Sequence, residues 1–217
     1  HIQFGKEIWE KGLIPEFDSY SYTVNGFPWI NHEWLAEVSF YLIYLYSDST
    51  GLLVFKLIVG FSIVWLLSNF YFSKEKNLFI YVLFFTALTE VFAIRFATRP
   101  QLFSLFFSTL LIVSIYKYFD GNKKWLKTFP IIFVLWINSH GGVLAGLGVL
   151  GCVVFIETVR SIFQKKAIDK TLCLIFAVSV CALLVNPYGY KLLLFFLETV
   201  SKPRDISEWK SVSLLDV

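Results

Sequence analysis

The side chains able to do chemistry lie in a few short stretches of an otherwise apolar sequence. Asp18 sits in Pro15-Glu16-Phe17-Asp18-Ser19-Tyr20-Ser21, where a pocketed carboxylate would act as a base toward an incoming hydroxyl. The same run suits an Asx-type turn. His32 and Glu33 are adjacent and would point in different directions on a helix, so they make no metal pair by themselves. Glu33 and Glu37, four apart, would flank one site or line a solvated edge. Arg95 and Arg99 fall in Arg95-Phe96-Ala97-Thr98-Arg99-Pro100-Gln101. Arginine suits bidentate binding of a phosphate, and a lipid phosphate lies at the depth where a membrane helix ends. Headgroup contact, or pairing with Glu90 inside the preceding apolar run, is the alternative. Trp136-Ile137-Asn138-Ser139-His140-Gly141-Gly142 interrupts two apolar arms. There His140 would bind a phosphate or shuttle a proton, or else be hydrogen-bonded within a helix junction.

The elements that must position these groups follow from composition. The 217 residues are 57% hydrophobic, 19% aromatic and only 16% charged, against roughly 25% charged in a soluble domain. Disorder, collagen-like repeats and a secreted disulfide scaffold are excluded, and a membrane protein is expected. Cys152, Cys173 and Cys181 lie in apolar stretches and are expected to behave as buried small hydrophobes. With His at position 1 and no Met anywhere, the chain reads as a piece of a longer protein.

A bilayer core of about 30 Å calls for roughly 20 apolar helical residues. On that scale the expected architecture is an all-α polytopic membrane protein with about six segments. These lie near 51–72, 78–94, 102–118, 129–137, 143–156 and 171–185, followed by an amphipathic helix over 191–200 and a tail over 201–217. Basic loops follow every second span: Lys74 and Lys76; Lys117, Lys123, Lys124 and Lys127; Arg160, Lys165, Lys166 and Lys170. The positive-inside rule makes these cytoplasmic. Residues 1–50 then form a structured external loop, and Asn138 to Gly142 also face outward. Within the loop, residues 2–11 read as a short helix stopped by Gly12, and Asn25-Gly26 reads as the turn of a β-hairpin joining 20–24 to 27–30. Residues 31–46, with Glu33 and Glu37, read as an interfacial helix capped by Asn31.

One string carries a resemblance: His1-Ile2-x-x-Gly5, Gly12-Leu13-Ile14-Pro15-x-x-Asp18-x-Tyr20-Ser21-Tyr22-Thr23-x-x-Gly26-x-Pro28-Trp29, then Glu33-Trp34-Leu35. With the Arg95–Gln101 and Trp136–Gly142 motifs and Asn186-Pro187-Tyr188-Gly189, it resembles an uncharacterised subgroup of bacterial polytopic membrane proteins. These in turn resemble GT-C-type glycosyltransferases, the group of protein mannosyltransferases and aminoarabinose transferases. The resemblance implies an inner-membrane protein with residues 1–50 on the periplasmic side. It also implies transfer of a sugar from a polyprenyl-phosphate carrier to an acceptor glycan, lipid or protein. Arg95 and Arg99 would hold the carrier phosphate. Asp18 or Glu33 would assist acceptor activation, and His140 would orient the phosphate, with Asn138, His1 and His32 in the same outer group. In such enzymes an acid at the start of the first external loop is the base; by the pattern it would precede His1, leaving Asp18 a second carboxylate.

Two other readings stand beside it. The Gly141-Gly142 break between short arms resembles the broken helices of transporters, so a flippase or transporter for a lipid-linked or anionic solute is the first. A non-catalytic scaffold for envelope assembly is the second. No phosphate-binding glycine loop, dinucleotide fingerprint, zinc spacing or Ser-His-Asp signature occurs. No cofactor is identified and no residue is assigned as a metal ligand, while a divalent-metal requirement stays open; no nucleic-acid partner is expected, because the lysines follow membrane orientation.

Overall fold

The computed structural model describes residues 1–23, 25–71, 79–80, 82–83, 86 and 97–201. The described chain is mostly helical. In order come α1 (Ile2–Lys11), α2 (Trp34–Tyr71), α3 (Gln101–Phe119), a 3-10 turn (Lys123–Lys127), α4 (Thr128–Ile137), α5 (Val143–Phe163), α6 (Lys170–Ala182) and α7 (Tyr190–Ser201). Glu90, Arg95, Lys74, Lys76, most of the expected span 78–94 and all but Ser201 of the expected tail lie outside the described residues.

Three helices, α2, α3 and α5, are long and apolar enough to cross a membrane. This is a membrane protein with three candidate spans among the described residues, not six. The expected spans at 129–137 and 171–185 fail on length. At 1.5 Å per residue, the 10 residues of α4 reach about 15 Å and the 13 of α6 about 20 Å, short of a core of about 30 Å. Part of the apolar character of α4 has another cause: Phe129, Ile132, Phe133, Trp136 and Ile137 are buried by protein, while Ile131 and Leu135 on the same helix and Leu174 on α6 are exposed. Trp136 stacks on Phe133 and meets Phe107 of α3, at ring centroid distances of 6.2 and 6.1 Å. The longer helices also turn large apolar groups outward, Phe61 and Trp65 on α2 and Phe155 on α5 among them, as a lipid-facing surface does.

The expected interfacial helix and the span after it form one element with an elbow. α2 is interrupted at Asp48 (φ 55°, ψ −158°), a backbone conformation rarely visited by a residue other than Gly. In a straight helix Phe40 and Phe55 would be about 22 Å apart; their rings lie 6.2 Å apart, and both meet Phe103 of α3. The arms therefore fold sharply toward each other.

The β-hairpin is also corrected: no strand forms among the described residues. A single antiparallel bridge pairs Phe17 with Pro28, with Asp18 N–H donating to Phe27 O (2.9 Å) and Trp29 N–H to Glu16 O (2.8 Å). Asp18 is the reason the expected strand is lost. Its Oδ1 accepts the amides of Tyr20 (2.9 Å) and Ser21 (2.8 Å), diverting the donors a ladder would need. Gly26 still turns the chain, at φ 81°. α1 ends as expected, with Gly12 left-handed (φ 64°) and its N–H on Ile8 O. The cysteines do not: Cys152 and Cys181 are exposed on their helices and Cys173 is half-buried, all as thiols. Helices in lipid can turn a small apolar group outward at no cost.

Candidate functional site

The chain contains three histidines, and the fold brings all three to one carboxylate. Asn31 starts the arrangement. Its Oδ1 accepts the Glu33 amide (3.2 Å), capping the entry to α2, and its Nδ2 donates to Glu37 Oε2 (2.6 Å). Glu33 and Glu37, one turn apart, thus share a face. α1 packs across that face because Gly5 has no side chain: a Cβ there would stand 2.0 Å from the Glu37 carbonyl oxygen. This close approach sets His1 above the acids. His1 Nδ1 is 2.9 Å from Glu37 Oε1 and 3.9 Å from Glu33 Oε2.

From the other side, the α4–α5 junction supplies His140, whose Nε2 lies 3.6 Å from Glu33 Oε1. His32 Nε2 lies 3.8 Å from the same oxygen. The His140 tautomer follows from its partners. Trp136 Nε1–H donates to Ser104 Oγ (2.7 Å) and Gly142 N–H donates to His140 Nδ1 (3.0 Å). His140 Nδ1 is therefore an acceptor, Ser104 Oγ–H donates to it (2.7 Å), and Nε2 carries the proton toward Glu33.

Burial sets the charges. It drives the His140 pKa down to about 4, with the charges of His32 and His1 adding to the effect, so His140 is neutral. Burial also lowers the pKa of His32, whose ring lies against Phe195 and Phe196. Glu33 is pushed up to about 7, chiefly by burial, with His1 opposing and Glu37 reinforcing. His1 moves the other way: its hydrogen bond to Glu37 raises its pKa against the effect of burial. The side chain of Glu37 is only 3% exposed, whereas that of Glu33 is 19% exposed. Glu33 is thus the acid that solvent or a ligand can reach.

The chain matches no protein-family model, no curated protein and no solved structure.

The expected site residues sort into three groups. His1, His32, Glu33 and His140 converge. Arg99 is exposed and close enough for its charge to lower the His1 pKa; Arg95 lies outside the described residues. Asn138 and Asp18 are near the site in sequence pattern but spent on structure. Asn138 Oδ1 accepts from Trp34 Nε1 (2.9 Å), and its Nδ2 donates to Val134 O and Val185 O (2.8 Å each), tying α2, α4 and the end of α6 together. Asp18 accepts from the Ser21 hydroxyl and from the Ser21 and Tyr20 amides, which hold its pKa below the usual carboxylate range. That is the Asx turn, not a poised base. Sequence reasoning missed Asn31 as the partner of Glu37, Ser104 and Trp136 as the support of His140, and Tyr188, whose hydroxyl accepts the Asn31 amide (3.0 Å). A cleft of about 450 Å³ opens beside the cluster, lined by Trp29, Ile30, Tyr188 and Phe195 among others.

Proposed function

We propose that this chain is a GT-C-like membrane glycosyltransferase module of a bacterial inner membrane, with the cluster at its outer, periplasmic face. The observation that carries the reading is the convergence of His1, His32 and His140 on Glu33 at the end of an apolar helix bundle. Acids and histidines are costly at a membrane boundary and are retained there for function. The acceptor hydroxyl or amine attacks the anomeric carbon of the sugar. The bond from that carbon to the carrier phosphate breaks, and polyprenyl phosphate leaves with the bonding pair. Glu33 takes the acceptor proton, and the neutral His140, with Nε2 3.6 Å from Glu33 Oε1, sets no competing positive charge beside it. Arg99 binds the carrier phosphate, and Arg95 is assigned the same task. The cleft between Trp29 and Tyr188 is a route for the acceptor.

Full-length protein reconstituted with polyprenyl-phosphate sugars tests this. Transfer should fall at least 100-fold in Glu33→Gln and 10-fold in Arg99→Ala, and persist in Asp18→Asn. Undiminished transfer in both of the first two variants contradicts the site. The transporter reading draws on one observation, the 10-residue α4 that stops at the Asn138–Gly142 break inside the bundle. Uptake of an anionic solute into liposomes without any sugar transfer would decide for it.

A further inference from the structure

We propose that His1, Glu33 and Glu37 bind one divalent transition-metal ion of the zinc or manganese kind, through His1 Nδ1 and one oxygen of each glutamate. These three ligand atoms lie within 4.8 Å of one another. Their chemistry is one imidazole nitrogen and two carboxylate oxygens, a set that favours zinc- or manganese-type ions over magnesium, which is served by oxygen alone.

The spacing around Glu33 points the same way. Its carboxylate accepts no hydrogen bond among the described residues, although three histidine nitrogens stand 3.6, 3.8 and 3.9 Å away. Such separations exceed the range of about 2.7–3.2 Å for a hydrogen bond. Two ligands on one ion, each with a bond of about 2.1 Å, are about 3.4 Å apart at a tetrahedral angle. The gap between His1 Nδ1 and Glu33 Oε2 therefore needs a contraction of only about half an ångström to close on a shared ion. The 2.9 Å contact from His1 to Glu37 Oε1 is the edge a proton holds until a cation displaces it.

The surroundings supply the outer support that metal ligands require. Asn31 Nδ2 fixes the second oxygen of Glu37 at 2.6 Å. His140 Nε2–H faces the second oxygen of Glu33. His140 itself is not a ligand, because Nδ1 is committed as an acceptor to Gly142 N–H and to Ser104. Once binding displaces their protons, two carboxylates, one of them almost fully buried, and one imidazole leave a net negative charge that a divalent cation neutralises.

Binding of the ion does not depend on sugar transfer. Only its use rests on that reading: with Glu33 a ligand, an open position on the ion would take the acceptor oxygen or a carrier phosphate oxygen.

The test is calorimetric titration of tag-free, chelator-treated full-length protein in detergent with Zn²⁺ alone, no donor present. Cys152→Ser, Cys173→Ser and Cys181→Ser, with any further cysteine of the full-length protein also replaced by Ser, form the background, so that thiols do not compete for the ion. One ion per chain is expected, with affinity at least 10-fold weaker in Glu33→Gln and in His1→Ala, and no comparable Mg²⁺ binding. Glu33→Gln is near-isosteric and removes no side-chain hydrogen bond, so its melting temperature should match the background. ¹⁵N spectra of the histidines give a second reading: Zn²⁺ should convert His1 Nδ1 to a metal-bound signal while His140 keeps its Nε2–H. Absence of Zn²⁺ binding, or binding unchanged in both variants, overturns the proposal. Zn²⁺ binding in a protein without transfer activity leaves it standing and removes the glycosyltransferase reading instead.

Discussion

At one end of the bundle, His1, His32, Glu33, Glu37 and His140 come from three separate stretches of chain and face one another across less than 4 Å. At the other end, two charge pairs sit near the surface. Lys123 reaches Asp169 at 2.6 Å and Arg160 reaches Glu157 at 3.3 Å, with both cations more than half exposed. Asp169 is chiefly a cap, accepting the amides of Thr171 (3.0 Å) and Leu172 (3.2 Å) at the start of α6. A hollow of about 550 Å³ lies among these groups, larger than the cleft at the histidine end, yet its cations are solvated. The contrast shows that burial and convergence, rather than the number of charges or the size of a hollow, mark the place where chemistry is held ready.

That difference predicts unequal costs. Glu37→Ala should be the most damaging, because it strips a nearly buried acid from His1 and Asn31. Breaking a buried pair costs about 3–5 kcal/mol. Because the side chain of His1 is 38% exposed, solvent offsets part of this, and a loss of about 2–3 kcal/mol is expected in a detergent melt. Gly5→Ala comes next. A Cβ 2.0 Å from backbone forces α1 away from α2, at about 2 kcal/mol for overpacking, and should carry His1 out of the cluster. Asp169→Ala, at the other end, should cost about 1 kcal/mol through the lost cap. Lys123→Ala should cost less than about 0.5 kcal/mol, as an exposed pair does. If Lys123→Ala or Asp169→Ala proved as costly as Glu37→Ala, the contrast between the ends would fail.

A pH dependence sharpens it. Burial pushes the Asp169 carboxyl up, but hydrogen bonds from Lys123, the Leu172 amide and Tyr118, with the Lys123 charge, hold it below its ordinary value. A depressed carboxyl contributes stability that is present above its unfolded pKa of about 3.9 and is lost as pH falls through the lower folded value. Acid melts of Asp169→Asn should therefore be flatter below about pH 4 than those of the unaltered protein. An identical acid limb would mean that Asp169 is not paired as described.

Much of the fold could be read from the chain, and the reasons for the rest are physical. α1 with its Gly12 stop, the helices at 101–119 and 143–163, and the break at Asn138–Gly142 all follow from local signals of period, glycine and proline. Composition does not separate α4 and α6 from spans, because an apolar run looks the same whether protein or lipid covers it; length does. Asn25-Gly26 favours a hairpin, but the side-chain acceptor of Asp18 competes for the amides a ladder needs. Of the site, Glu33 and the histidines were each visible as candidates, yet nothing local joins position 1 to 33 or 33 to 140. By spacing Glu37 flanks one site or lines a solvated edge; its burial against Asn31, which also caps α2, is decided by the fold.

The convergence on Glu33 is tested most directly by ¹⁵N-histidine spectra of the full-length protein, with the signals of His1, His32 and His140 assigned by single substitution. Glu33→Gln should move the signals of His1, His32 and His140 together, with His140 remaining the neutral Nε2–H form, while Asp169→Asn moves none of them. A spectrum in which Glu33→Gln shifts a single histidine, or none, would contradict the convergence of the three on one carboxylate.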